Sequence, residues 1–121
     1  MRVLVVDGAN VVGSRPDGWW KDRPGAARRL HESLLVGDTS YDVIVLVLEG
    51  AAKGGVRAGR DGHVVTVHAP KDGDTTITEQ ARVAVERGDV VTVITADRLL
   101  GAAVNSVGAT VMSPSWLLDQ L

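Results

Sequence analysis

A chain of 121 residues, 45% hydrophobic and 23% charged, lies in the range of ordinary globular sequences and is expected to form a single domain. It has no cysteine, which excludes a disulfide framework, and a domain of this length buries enough surface to hold a core without one. Thirteen basic against fifteen acidic residues leave a net charge of −2, which excludes a strongly basic nucleic-acid-coating surface, so any such partner has to be argued from local geometry.

The first apolar run, Val3 to Val6, is too short for a signal-peptide core or for the ~20 residues that cross a bilayer. It predicts a cytoplasmic protein with no membrane partner. The run is unbroken rather than alternating, as in strands covered on both faces. Residues 8–22 read as a loop. Asp22 and Pro24 then mark a helix start, with Ala27, Leu30 and Leu34 on one face. Val43 to Leu48 is a second unbroken strand. The stretch Gly50 to Gly62 is glycine-rich with little helical periodicity, although a parallel return needs about a dozen residues. Val64 to Val67 supplies a third strand. Thr76-Ile77-Thr78-Glu79 has the spacing of a capping box, followed by a stripe of Ile77, Ala81, Ala84 and Val85 and a stop at Gly88. Val90 to Thr95 and Ala109 to Met112 are the fourth and fifth strands, separated by a helix carrying Leu100, Ala103, Val104 and Val107 and closed by Gly108. Ser113-Pro114 opens a short terminal helix at Trp116 to Leu118. This alternation implies a three-layer α/β/α fold with a mostly parallel five-stranded sheet.

Open parallel sheets bind ligands beyond the carboxyl ends of their strands. The ends here are acidic: Asp7 after the first strand, Glu49 after the second, Asp72 and Asp74 after the third, Asp97 after the fourth. Carboxylates brought together repel one another, and a hard divalent cation with oxygen ligands is the common reason for such crowding. Mg²⁺ or Mn²⁺ is the expected cofactor. Two such ions roughly 3.5 to 4 Å apart promote phosphodiester hydrolysis. Each acid has a plainer reading as well. Asp74 and Asp97 precede helices and suit helix caps, Asp7 and Asn10 suit a turn, and Glu49 suits a solvated strand end.

These residues resemble a family. Asp7-Gly8-Ala9-Asn10-Val11-Val12-Gly13 after an apolar strand is similar to the opening motif of NYN domains, the branch of PIN-like ribonucleases that includes the YacP-like proteins. Gly73-Asp74-Thr75-Thr76-Ile77 and Thr95-Ala96-Asp97-Arg98 resemble its third- and fourth-strand motifs, in the same order over nearly the whole chain. The resemblance implies a PIN-like sheet of order 3-2-1-4-5, Mg²⁺ or Mn²⁺ held by Asp7, Asp74 and Asp97 with Glu49 nearby, and cleavage of RNA phosphodiesters. Asn10 is implied to orient a water, a phosphate or a ligand. Two positions depart from the family pattern: Thr75 stands where relatives often carry a second acid, and Glu49 where aspartate is common.

Six basic residues, Arg15, Lys21, Lys53, Arg57, Arg60 and Lys71, fall in loops expected on the acidic edge, where a basic rim suits the backbone of a single-stranded or structured cellular RNA. Trp19 and Trp20 are placed either to stack on bases or to pack over a helix. His31, His63 and His68 show no metal-ligand spacing and read as structural or exposed. The phosphate-loop and dinucleotide-binding fingerprints are missing, so no dinucleotide cofactor is expected. The leading expectation is a metal-dependent ribonuclease. The alternatives are a nucleotide phosphohydrolase using the same acids and a non-catalytic RNA-binding domain.

Overall fold

The computed structural model describes every residue from Met1 to Leu121. Its strands are β1 (Arg2–Asp7), β2 (Val43–Leu48), β3 (Gly59–Asp61), β4 (Val64–His68), β5 (Val90–Ile94) and β6 (Thr110–Met112). Its α-helices are α1 (Gly8–Gly13), α2 (Arg23–Val36), α3 (Gly73–Glu86), α4 (Arg98–Ser106) and α5 (Pro114–Leu118), with 3₁₀ turns at Trp19–Lys21 and Gly50–Gly55.

The unbroken apolar strands are explained by a core on each face of the sheet. Val3 and Val5 of β1 and Val45 and Val47 of β2 point to one side, where Ile77, Ala81 and Ala84 of α3 and Leu100 and Val104 of α4 cover them. Leu4, Val6, Ile44, Leu46 and Leu48 point to the other, under Val11 of α1, Ala27, Leu30 and Leu34 of α2 and Leu117 of α5. Each such side chain, fully buried, stabilises the fold by about 1.5 to 3 kcal/mol. No helix is long and apolar enough to cross a membrane.

The sheet order is β3-β4-β2-β1-β5-β6. Five strands are parallel in the expected order, with β1 between β2 and β5. Strand order reverses at β1, so the crevice at its carboxyl end is the natural ligand position. The sheet has six strands rather than the expected five. The glycine-rich stretch after β2 is not a featureless loop: it forms the 3₁₀ turn and then β3, which turns at Gly62 (φ 59°) and pairs antiparallel with β4. This crossover therefore returns without an α-helix.

Two helix starts also differ from expectation. Residues 8–13 are helical because the Asp7 carboxylate accepts the Asn10 N–H, and because Gly8 alone fits against β2, where a Cβ would lie 2.6 Å from the Val47 carbonyl oxygen. Helix α3 begins at Gly73, not at Thr76. Its cap is Asp72, whose Oδ1 accepts the Thr75 N–H at 2.8 Å, so the Thr76 capping box does not form. An aspartate cap ahead of Gly73 satisfies the first-turn donors and leaves Thr76 inside the helix.

Candidate active site at the carboxyl edge

Asp7 ends the central strand and is only 6% exposed. Its Oδ1 accepts the Asn10 N–H at 3.2 Å and its Oδ2 accepts the Thr95 hydroxyl at 2.9 Å. Thr95, at the end of β5, also accepts the Asp97 N–H on its Oγ1 at 3.1 Å. One buried hydroxyl thus couples the first acid to the segment bearing the last. Asn10 adds a second tie, its Oδ1 accepting the Ala96 N–H at 2.9 Å.

Asp97 caps α4, with Oδ1 accepting the Leu100 N–H at 3.0 Å. The cap reading is therefore correct for Asp97, and it leaves Oδ2 without a donor. Glu49 reaches from the end of β2 to the start of α3, where its Oε2 accepts the Gly73 N–H at 2.6 Å. Asp74 lies in the first turn of α3 and is not its cap; its carboxylate accepts no hydrogen bond from the chain.

These acids feel one another. Burial pushes the Asp7 carboxyl above its ordinary range, two hydrogen bonds pull it back, and the charges of Asp74 and Glu49 raise it further. Asp74 is also raised, chiefly by partial burial and then by Asp97, Asp72 and Glu49. Asp74 is the hub of this repulsion. No three acidic or histidine side chains stand close enough to hold a bare ion between them, so the expected sharing of one ion by Asp7, Asp74 and Asp97 is not formed. The reason is local: Asp7, Asp97 and Glu49 are each drawn to a backbone N–H at a helix start, which fixes them and keeps like charges apart. The donor set still suits a hydrated Mg²⁺ or Mn²⁺, which keeps most of its waters and needs only one or two carboxylates. A carboxylate oxygen that accepts one hydrogen bond retains a lone pair for such a role.

The basic residues divide. Lys71 lines a pocket with Glu49. Arg57 and Arg60 instead share a groove of about 450 Å³ with Arg28 and His31. Strand β3 accounts for the separation, since it carries Arg60 back alongside Val65 in the middle of β4. The Lys53 ammonium donates to the Ala69 carbonyl at 2.9 Å and ties the 3₁₀ turn to the end of β4. Arg15 lines grooves along α2 with Arg29, and Lys21 is exposed at the end of its 3₁₀ turn. His63 and His68 are tied to the Leu34 and Val56 carbonyls, a structural role as expected. Sequence reasoning gave no part to Thr95, Arg23 or Arg28. Thr95 was within sight, because it opens the motif that contains Asp97.

No protein-family model matches the chain, and no curated protein matches it in sequence. Solved structures do match. The crystal structure of Rae1 (YacP) from Bacillus subtilis is similar with a TM-score of 0.70 at 20% identity, covering 98% of this chain and 72% of that one. Its fold is that of Rae1 (YacP). The W164L mutant of the same Bacillus subtilis protein matches with a TM-score of 0.64 at 18% identity, over 98% of this chain and 74% of that one. The resemblance of the Asp7, Asp74 and Asp97 motifs to YacP-like proteins is thus matched by the fold of Rae1 (YacP) over nearly the whole chain.

Proposed function

We propose that this protein is a divalent-metal-dependent ribonuclease acting at the carboxyl edge of its sheet. The observation that carries the reading is that the sheet brings Asp7, Glu49, Asp74 and Asp97, from four separate segments, to its carboxyl edge at the switch point, where Asp74 feels the charges of Asp97 and Glu49 and raises Asp7. Burial and repulsion of this kind cost stability and are typical of functional sites. The NYN-like motifs and the Rae1 (YacP) fold support the choice of RNA. Asp7 and Asp74 would hold Mg²⁺ or Mn²⁺, with Asp97 and Glu49 beside them. The chemistry such an ion supplies is water activation and neutralisation of charge in phosphodiester hydrolysis. Thr95 and Asn10 keep the Asp7 and Asp97 segments in register, and the groove of Arg28, Arg57 and Arg60 offers a second surface for the phosphate backbone.

Two assays on the purified chain test this. In the first, Mn²⁺ at a hundred times its dissociation constant raises the stability of wild type by about 2.7 kcal/mol and that of Asp74→Asn by much less. Equal shifts in both proteins contradict the site. In the second, an end-labelled single-stranded RNA is cut internally or from an end. Release of phosphate from nucleotides in its place assigns the same acids to nucleotide hydrolysis, and metal binding without turnover leaves a non-catalytic RNA-binding domain.

A further inference from the structure

Next to the acids lies a pocket of about 430 Å³ whose walls include Gly8 and Ala9 of α1, Trp19, Arg23, Glu49 and Lys71. Its volume falls within the roughly 300 to 1,000 Å³ of small-molecule sites. The far wall is the 3₁₀ turn, packed so tightly on the start of α2 that a Cβ on Gly55 would lie 1.9 Å from the Pro24 carbonyl oxygen. Trp19 is half-buried, so the reading in which it packs over a helix is only partly right; the ring also faces the pocket. Trp20 stands edge-on to it, with ring centroids 6.0 Å apart, but is exposed and does not line the pocket. The Arg23 guanidinium lies 5.5 Å from the Trp19 centroid, so ring and cation form one composite surface. Neither Arg23 nor Lys71 takes part in an ion pair.

We propose that this pocket is a subsite for one nucleotide of a single-stranded RNA, with Trp19 stacking on the base and Arg23 and Lys71 meeting its phosphates. A rigid aromatic plane beside unpaired cations is the chemistry that grips an unstacked nucleotide. The pocket is joined to the acids by Glu49, which lines it and also holds the Gly73 N–H one residue before Asp74. A base held here leaves its neighbouring phosphodiester at the side of the pocket where Glu49 meets the start of α3. The inference rests on the ribonuclease reading above and adds to it the residues that seat the strand.

The test is equilibrium binding of a labelled single-stranded RNA of about ten nucleotides in the presence of EDTA, so that binding is read without turnover. Trp19→Ala is expected to weaken binding by roughly 5- to 150-fold, the loss of one base–aromatic stack. Trp19→Phe restores most of it, and Trp20→Ala changes it little. Because Trp19→Ala also removes packing, Arg23→Glu is measured in parallel; Arg23 is exposed, and its reversal is expected to weaken binding and lower the salt slope by about 0.7, the loss of one phosphate contact. In a Trp20→Phe, Trp116→Phe protein, Trp19 is the single tryptophan and its emission is quenched as RNA binds. Wild-type affinity in both Trp19→Ala and Arg23→Glu, with wild type binding RNA, overturns the subsite alone. Failure of wild type to bind RNA in EDTA overturns the subsite, which needs no metal, and the ribonuclease reading is then judged separately by cleavage with Mg²⁺ or Mn²⁺ present.

Discussion

Thr95 is buried at the end of β5, and its hydroxyl both donates to Asp7 and accepts from the Asp97 backbone. Thr95→Val keeps the shape and removes both bonds. It is expected to push the Asp7 carboxyl still higher and to destabilise the protein by about 1 to 3 kcal/mol, as an NMR titration and a denaturant melt read directly. Thr95→Ser restores both. Asp74 makes the opposite case, because its carboxylate has charge neighbours but no hydrogen bond. A carboxyl raised in the folded state binds its proton more tightly there than in the unfolded chain. Its contribution therefore falls as pH rises from the ordinary aspartate value through the raised one, and stays low above it. Asp74→Asn is expected to be more stable than wild type at neutral pH, by about 0.2 to 1 kcal/mol for so exposed a group. The difference should close as pH drops below the ordinary aspartate range. A gap independent of pH contradicts this account of Asp74. Motif order alone points to these acids. Which of them carries repulsion, and which is a satisfied cap, depends on distances that only folding sets.

At the scale of the element, strands were easier to read than helix starts. A strand such as Val43–Leu48 announces itself by composition, because both its faces are buried. Helix α1 has two glycines and two valines in six residues, a poor helix former whose existence rests on the Asp7 cap and the close approach of Gly8 to β2. Gly8→Ala is accordingly expected to shift α1 away from β2 and to disturb Asp7 with it. For α3, spacing offered Asp74 or Thr76 as the cap and neither serves; the chain leaving β4 brings Asp72 to the first free N–H groups instead. Asp72→Ala is expected to cost about 0.5 to 2 kcal/mol, whereas Thr76→Ala changes stability little. Equal losses in chemical melts contradict the assigned helix start. Residues 50–62 were opaque for a different reason: a 3₁₀ turn and a three-residue edge strand have neither a long period nor a buried face to signal them.

Over the whole molecule, strand order brings Asp7, Glu49, Asp74 and Asp97 to one edge, while the same topology splits the basic residues. The sequence placed Arg57 and Arg60 on the acidic rim; β3 moves them to a separate groove beside Arg28. If a single-stranded RNA crosses both surfaces, Arg57→Ala with Arg60→Ala weakens binding and lowers the salt slope by about 1.4, since a phosphate that is no longer neutralised keeps its counterion. An unchanged slope confines RNA to the pocket side. Metal-assisted cleavage of RNA at the acidic edge is read in one experiment on an end-labelled single-stranded RNA. Wild type is expected to cut it with Mg²⁺ or Mn²⁺, to stop in EDTA and to resume when the metal is restored, while Asp74→Asn, folded and stable, stays inactive throughout. Cleavage that survives chelation, or an Asp74→Asn protein as active as wild type, contradicts the account.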